Sequence, residues 1–282
     1  MNYGIDAYSL NEFLKATLKE DIGFGDVTSL STVARDKTAK GKFIAKQNGV
    51  FCGTAVLEGI FGGIYADTCL NMAVSEGERI EKGQLIATVE GNARSVLAGE
   101  RTALNIVQHL SGVATATAEY VKKLEGTKAR VTETRKTTPG MRFLEKYAVR
   151  VGGGSNHRFN LSDGILIKDN HIAAAGGITK AVKMAKANAS HLLKLEVEVE
   201  SIEGLLEAIE AGADVVMLDN MDLETTKKAV EAAAGRVLLE ASGNMDEKDV
   251  RAIAEAGVDI ISFGALTHSV KALDISLKFD II

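Results

Sequence analysis

From residue 129 to residue 262 apolar runs of strand length alternate with amphipathic stretches of helix length, and nothing else in the chain restricts its fold as much. The expected strands cover 129–133, 165–167, 192–199, 214–218, 236–240 and 259–262, and the spacing predicts helices over 141–149, 178–188, 202–211, 223–234 and 247–256. Runs such as Val215-Val216-Met217-Leu218 have no polar alternation, as suits a parallel sheet covered on both faces. A strand and a helix every 20 to 25 residues or so, with no Gly-x-Gly-x-x-Gly after a first strand, favour a barrel over a dinucleotide-binding sheet. Six strands are plain, and a seventh is expected near Gly152. The tetrapeptides Ala211-Gly-Ala-Asp214 and Ala256-Gly-Val-Asp259 each close a helix with glycine and open a strand, which is turn chemistry.

The first half reads differently. An amphipathic helix near 8–18 precedes short alternating segments at 41–46 and 84–89, which suggests a small antiparallel sheet with helices. A long helix over about 96–124 joins the halves. With 282 residues and 46% hydrophobic side chains, the chain has enough apolar mass for a barrel-sized domain and a smaller companion. Two cysteines without metal-type spacing suggest a reducing cytoplasm. No secretory leader and no run of roughly 20 apolar residues is evident, so a cytoplasmic protein without a membrane span is expected.

The net charge of −5 argues against general affinity for nucleic acid or anionic membranes. Its distribution is uneven. Residues 134–171 carry seven basic side chains against three acidic ones, a local +4 that leaves −9 for the rest of the chain. Working residues of a barrel lie past the C-terminal ends of its strands. Those positions here hold Arg135 and Lys136, then Lys168 and Asp169, Glu196 and Glu198, Asp219 and Asn220, Glu240 with Ser242 and Gly243, and lastly Ser262, Phe263 and Gly264. Cations dominate the early ends and carboxylates and glycines the later ones, an arrangement suited to anions on one side and metal or sugar hydroxyls on the other.

Arg135-Lys136 and His157-Arg158 are the sharpest cationic pairs, since an arginine fork grips a carboxylate or phosphate with two prongs while lysine acts as a point charge. A solvated surface is the ordinary alternative. It is weakened by the apolar strand that delivers Arg135 and by Gly152-Gly153-Gly154 ahead of His157, which allows close approach to a ligand. The segments Ser242-Gly243-Asn244 and Phe263-Gly264-Ala265 place a glycine after consecutive strands, where backbone N–H groups could surround a phosphate. Glu198 and Asp219 suit either Mg²⁺ or ribose hydroxyls, with structural ion pairing as the alternative. His109, His191 and His268 read as structural, and His171 as a supporting residue behind Lys168.

Glu100-Arg-Thr-Ala-Leu-Asn105, Leu110-Ser-Gly-Val-Ala114, Thr134-Arg-Lys-Thr-Thr-Pro-Gly140, Gly152-Gly-Gly-Ser-Asn-His-Arg158 and Leu161-Ser-Asp163 together resemble the quinolinate phosphoribosyltransferase family. Lys146-Tyr-Ala-Val149, Ile167-Lys-Asp-Asn-His171, Glu196-Val-Glu-Val-Glu200, Met217-Leu-Asp-Asn220, Glu240-Ala-Ser-Gly-Asn244 and Gly264-Ala-Leu266 extend the likeness along nearly the whole chain. The resemblance implies an α/β protein with an open seven-stranded, TIM-like α/β barrel over 113–272. An N-terminal α/β sandwich over 1–112, joined by the tail 273–282, would accompany it, with assembly as a homodimer or a multiple of dimers with shared sites. It implies that quinolinate and 5-phosphoribosyl 1-diphosphate react with Mg²⁺ to give nicotinate mononucleotide, CO₂ and diphosphate in NAD biosynthesis. By the same resemblance Thr134, Arg135, His157 and Arg158 would hold quinolinate, Arg101 would reach in from a neighbouring subunit, and Lys136 and Lys168 would neutralise substrate anions. Glu198 and Asp219 would take the ribose hydroxyls or lie near the Mg²⁺-diphosphate. Ser242, Gly243, Asn244, Phe263, Gly264 and Ala265 would take the 5-phosphate. Glu133 stands where the family often has Asp, and Phe263 where a small apolar residue is common.

Three other readings compete. A Schiff-base aldolase also sets a lysine such as Lys168 at a barrel strand end, but needs it desolvated. A biotinyl- or lipoyl-carrier reading rests on the segment from Glu76 to Leu85 and needs an exposed hairpin with a modifiable lysine. A paralogue of the same fold with another acid acceptor would keep the same phosphoribosyl half of the site.

Overall fold

The computed structural model describes residues 4–281, which divide into two compact units. The first comprises the chain up to Ala118, Phe143–Gly153 and the stretch from Val270 onward; the second comprises Glu119–Arg142 and Gly154–Ser269. Among the described residues no helix is long and apolar enough to cross a membrane.

In the first unit α1 (Ala7–Ile22) starts at Asp6, whose carboxylate accepts the Ser9 N–H at 2.7 Å and so satisfies an otherwise orphaned donor. Its Leu10, Leu14 and Leu18 recur on one face and are buried. After α2 (Val27–Thr32), β1 (Thr38–Ala45) alternates exposed and buried positions, the pattern of a sheet with one wet face. Next come β2 (Gly49–Val50), α3 (Thr54–Ile60), β3 (Thr68–Met72), β4 (Arg79–Ile80) and β5 (Leu85–Asn92). Strand β1 pairs antiparallel with both β5 and the C-terminal strand Ile275–Ile281, and β3 adds to the other edge of β5. Phe43 of β1, opposite Leu277 and Ala87, is fully buried, a burial that contributes about 2 kcal/mol. Strand β4 pairs with β2 and not with β5, so the segment from Glu76 to Leu85 is no carrier-type hairpin.

The long helix α4 (Ala93–Lys123) enters the second unit after Ala118, past the boundary at 112 expected from sequence. Helix α5 (Arg142–Val151), read from sequence as a barrel helix, belongs mostly to the first unit, because its apolar face joins that core through Leu144, Ala148, Val149 and Val151. Its polar groups are matched there as well: Glu145 Oε1 stands 2.8 Å from His109 Nε2, and the Tyr147 hydroxyl donates to Glu76 at 2.7 Å. His109 is thereby a structural histidine, as its lack of a motif suggests.

The second unit contains β6 (Arg130–Thr132), β7 (Ile165–Ile167), α6 (Asp169–Ala175), α7 (Ile178–Asn188), β8 (Leu195–Val199), α8 (Ile202–Ala211), β9 (Val215–Asp219), α9 (Leu223–Ala233), β10 (Leu238–Ser242), α10 (Val250–Glu255), β11 (Ile260–Ser262) and α11 (Ala265–His268). Its six strands form one parallel sheet in the order β6-β11-β10-β9-β8-β7. Strands β6 and β7 are the edges and do not pair with each other, which leaves the barrel open. The seventh strand expected near Gly152 is a single parallel bridge between Thr132 and Ser155. It goes no further because the next backbone N–H in line is diverted: His157 donates to the Glu133 carboxylate at 3.2 Å, and the Asn156 side-chain amide donates to the same carboxylate at 3.0 Å. The two Ala-Gly-x-Asp repeats do more than turn the chain. Asp214 and Asp259 accept the backbone N–H of Leu195 and Leu239, each at 2.9 Å, and so fasten the starts of β8 and β10 to the strands that follow them.

Candidate active site

Because the strands are parallel, their C-terminal ends share one mouth, where a cavity of about 470 Å³ opens in the second unit. It is lined by Thr134, Arg135 and Lys136 after β6, by His157 and Arg158 after the Ser155 bridge, and by Lys168 after β7. Glu198, Asp219, Ser242 and Gly243, from β8 to β10, supply the other side, and Leu166 and Met217 form an apolar wall. Nothing in the sequence marks Leu166 and Met217 as site residues; they lie on strand faces whose direction a continuous apolar run does not reveal.

The cation-bearing loops are held by their own polar groups. Thr134 Oγ1 accepts the Lys136 N–H at 3.1 Å, and Thr267 Oγ1 donates to the Lys136 carbonyl at 2.7 Å. Arg158 donates through Nη1 to the Gly164 carbonyl at 3.0 Å. Lys168 precedes the short helix α6, and its backbone N–H donates to His171 Nδ1 at 3.1 Å, so His171 has the supporting place expected of it. Burial first, and then the neighbouring Arg135 guanidinium, draw the Arg158 guanidinium below its ordinary value, with Glu196 pulling the other way. Like charges held together this way form a site that favours an anion. The buried Arg135 Nε has no partner among the described residues, which leaves donor capacity on that fork. Lys168 forms an ion pair with Glu198 and remains partly exposed, which is not the desolvated amine a Schiff base requires.

Three buried acids stand at the His157-Arg158 loop: Glu133, which the sequence gives no role, and the strand-end carboxylates Glu196 and Glu240, which it gives no individual one. Glu196 Oε2 lies 3.2 Å from His157 Nε2 and Glu240 Oε2 3.6 Å from it. Burial, and next the adjacent Glu196 carboxylate, push Glu240 up to about 8, partly offset by His157 and Ser262. Strand alternation signals that Glu196 shares a face with Glu198, but nothing in the sequence says that Glu240 meets it across the sheet.

The remaining expected residues are not in the lining. Arg101 is exposed on α4 in the first unit. Phe263 is buried, packs its ring 4.2 Å from that of Tyr120, and donates its backbone N–H to the Thr132 carbonyl at 2.9 Å; it is a packing residue whose N–H is already used, which corrects its place among the phosphate donors. Asn244, Gly264 and Ala265 also stand outside the lining, although a Cβ at Gly264 would lie 3.1 Å from Lys136 Cδ. Gly243 has φ +88, and a Cβ there would come within 2.8 Å of the Asn220 backbone nitrogen. Gly243→Ala is therefore expected to cost about 2 kcal/mol or more in denaturant unfolding, against little change for alanine at an ordinary exposed loop site.

An open α/β barrel whose strand ends bring two arginines and two lysines to one cavity defines a barrel protein built to bind a polyanionic small molecule. Residues 113–278 match the family described as "Quinolinate phosphoribosyl transferase, C-terminal domain", and residues 26–111 match the one described as "Quinolinate phosphoribosyl transferase, N-terminal domain". The chain is 45% identical over 268 residues to the "Probable nicotinate-nucleotide pyrophosphorylase [carboxylating]" of Bacillus subtilis, covering 95% of this chain and 92% of that one. To the Mycobacterium leprae "Nicotinate-nucleotide pyrophosphorylase [carboxylating]" it is 42% identical, covering 94% and 95%. The crystal structure of NadC from Streptococcus pyogenes superposes with a TM-score of 0.92 at 42% identity over 99% of each chain. The chain belongs to the quinolinate phosphoribosyltransferase family.

Proposed function

We propose that the chain transfers the 5-phosphoribosyl group of 5-phosphoribosyl 1-diphosphate to quinolinate, releasing diphosphate and CO₂ and giving nicotinate mononucleotide for NAD synthesis. The observation that carries this reading is the convergence of Arg135, Lys136, Arg158 and Lys168 on one cavity that also has an apolar wall of Leu166 and Met217. A flat pyridine diacid needs both: paired guanidiniums for its carboxylates and an apolar surface for its ring. Arg135 and Arg158 hold the diacid, and Thr134 and His157 stand beside them in the lining. Lys136 and Lys168 sit near the reacting centre, where Lys168 exchanges its bond to Glu198 for substrate anion. Glu198 and Asp219 accept the ribose hydroxyls, and Ser242, Gly243 and the neighbouring Asn244, Gly264 and Ala265 take the 5-phosphate.

The two carboxylates have the hard oxygen donors that Mg²⁺ prefers, and the ion would be carried on the substrate diphosphate near them, where it neutralises leaving-group charge. As diphosphate departs, positive charge builds on the ribose carbon, so these residues act by positioning and electrostatic stabilisation, with no protein nucleophile. Loss of the 2-carboxylate then leaves a ring carbanion stabilised by the adjacent cationic ring nitrogen. We further assign the protein to the cytoplasm, a reading supported by free Cys52 and Cys69, and to a homodimer or multiple of dimers in which Arg101 completes the partner's site. The test measures nicotinate mononucleotide and CO₂ from quinolinate, with nicotinate as the competing acceptor. Equimolar CO₂ and mononucleotide from quinolinate are expected; product from nicotinate alone would transfer the chain to the paralogue reading.

A further inference from the structure

Buried carboxylates are unexpected beside a pocket that collects anions, yet Glu196 and Glu240 both approach the same atom, Nε2 of His157, at 3.2 and 3.6 Å. The other ring nitrogen is also committed within the protein: Nδ1 accepts the backbone N–H of Arg158 at 2.8 Å. A nitrogen that accepts carries no proton, so the ring proton lies on Nε2 and faces the carboxylates. The His157 backbone N–H in turn donates to Glu133 at 3.2 Å. The histidine thus joins the barrel strands to the loop that delivers Arg158.

We propose that Glu240, Glu196 and His157 form a hydrogen-bonded positioning relay in which Glu240 donates to Glu196, Glu196 accepts from His157 Nε2, and His157 Nδ1 fixes the backbone of Arg158. The inference rests on the proposed function and deepens it by making His157 a positioning residue and leaving the charged grip on the diacid to Arg135 and Arg158. Two adjacent, fully charged carboxylates are costly in a buried place, whereas one shared proton leaves a single charge opposite the histidine. The groups facing Glu240 are consistent with this. Glu196 comes from β8, Ser262 from β11 and His157 from the loop, while its register neighbours Met217 on β9 and Ile260 on β11 bring no charge. Beyond Glu196 lie Arg158 and, next to it, Arg135.

Glu240 rises from its ordinary 4.5 to about 8 in the fold, so the folded chain keeps a proton that the unfolded chain gives up between these values. Its contribution to stability is complete below pH 4.5 and is lost as pH rises through about 8. The relay is expected to open over the upper part of that range.

Wild type, Glu240→Gln and Glu240→Ala are compared by steady-state kinetics from about pH 6 to 9, with circular dichroism and thermal midpoints as the fold control. The glutamine amide can still donate to Glu196. Glu240→Gln should therefore keep kcat/KM for quinolinate within about twofold of wild type near pH 7 and lack the fall of about tenfold per pH unit that wild type shows above 8. Its thermal midpoint should gain on wild type from pH 6 to pH 9. Glu240→Ala should raise the quinolinate KM about tenfold or more and leave the donor KM unchanged. A folded Glu240→Gln as impaired as Glu240→Ala, or one that retains the alkaline fall, overturns the relay. Nitrogen-15 NMR of the His157 ring in the free protein tests it without turnover: protonated Nε2 and bare Nδ1 are expected, and a proton on Nδ1 overturns the relay. If wild type yields no nicotinate mononucleotide, the assigned reaction fails, while the NMR result still decides the relay.

Discussion

Arg135→Ala is expected to lower kcat/KM for quinolinate by a factor of about a hundred to a thousand, and to raise the KM for the phosphoribosyl donor by no more than about threefold. Arg135 follows β6 directly and lines the cavity, and its Nε lacks a partner among the described residues. Removing one side of a buried, charge-assisted pair costs about 2–5 kcal/mol, because it also leaves the substrate carboxylate desolvated without compensation. At about 1.4 kcal/mol per factor of ten, a loss of 3 to 4 kcal/mol gives the stated range. Arg158 does not substitute for it, since its Nη1 is already engaged with Gly164. Equal increases in both KM values would show that Arg135 serves the whole pocket and does not select the diacid. Arg135→Lys should recover only part of the loss, as a point charge has no two-pronged geometry.

The second half of the fold was legible because its strands are short and mostly apolar, Val215-Val216-Met217-Leu218 on both faces, and helices of ordinary length separate them. Where a signal was weaker, the structure departs from the sequence. Helix α6 has no clear signal in the sequence because Asp169–Ala175 is only seven residues long and its cap position holds Lys168, which offers no acceptor side chain to an N-terminus. The seventh strand shrinks to the Ser155 bridge because the Glu133 carboxylate takes the His157 backbone N–H that a ladder would use. Helix α5 has the spacing of a barrel helix, but the partner of an amphipathic face is not written in its own periodicity. At the site, the cations were readable from strand-end positions, which parallel topology brings to one mouth. Glu196 and Glu240 are readable at strand ends in the same way, but their meeting at His157 is not, since they lie on strands separated by β9 and their approach depends on the curvature of the sheet, which sequence spacing does not encode.

Arg101 raises the question of assembly, and the expected answer is a gain of function on mixing two inactive variants. Arg101 is exposed on α4 and lies outside the lining of the cavity, whereas Lys168 is within it. Each variant alone, Arg101→Ala or Lys168→Ala, should lose about a thousandfold in turnover, the scale of removing a preorganised charge from a transition state. For the proposed dimer, random pairing after subunit exchange would make about half of the pairs mixed. In each mixed dimer one site has Lys168 from one chain and Arg101 from the other, and the second site lacks both. One intact site in half of the dimers predicts recovery of about a quarter of wild-type activity, far above either parent. A control mixture of Lys136→Ala with Lys168→Ala should recover nothing, since both residues line the same chain's cavity. No recovery in the test mixture once exchange is confirmed by mass would assign Arg101 to its own chain or to no site, and recovery in the control would show that Lys136 and Lys168 do not serve one chain's site.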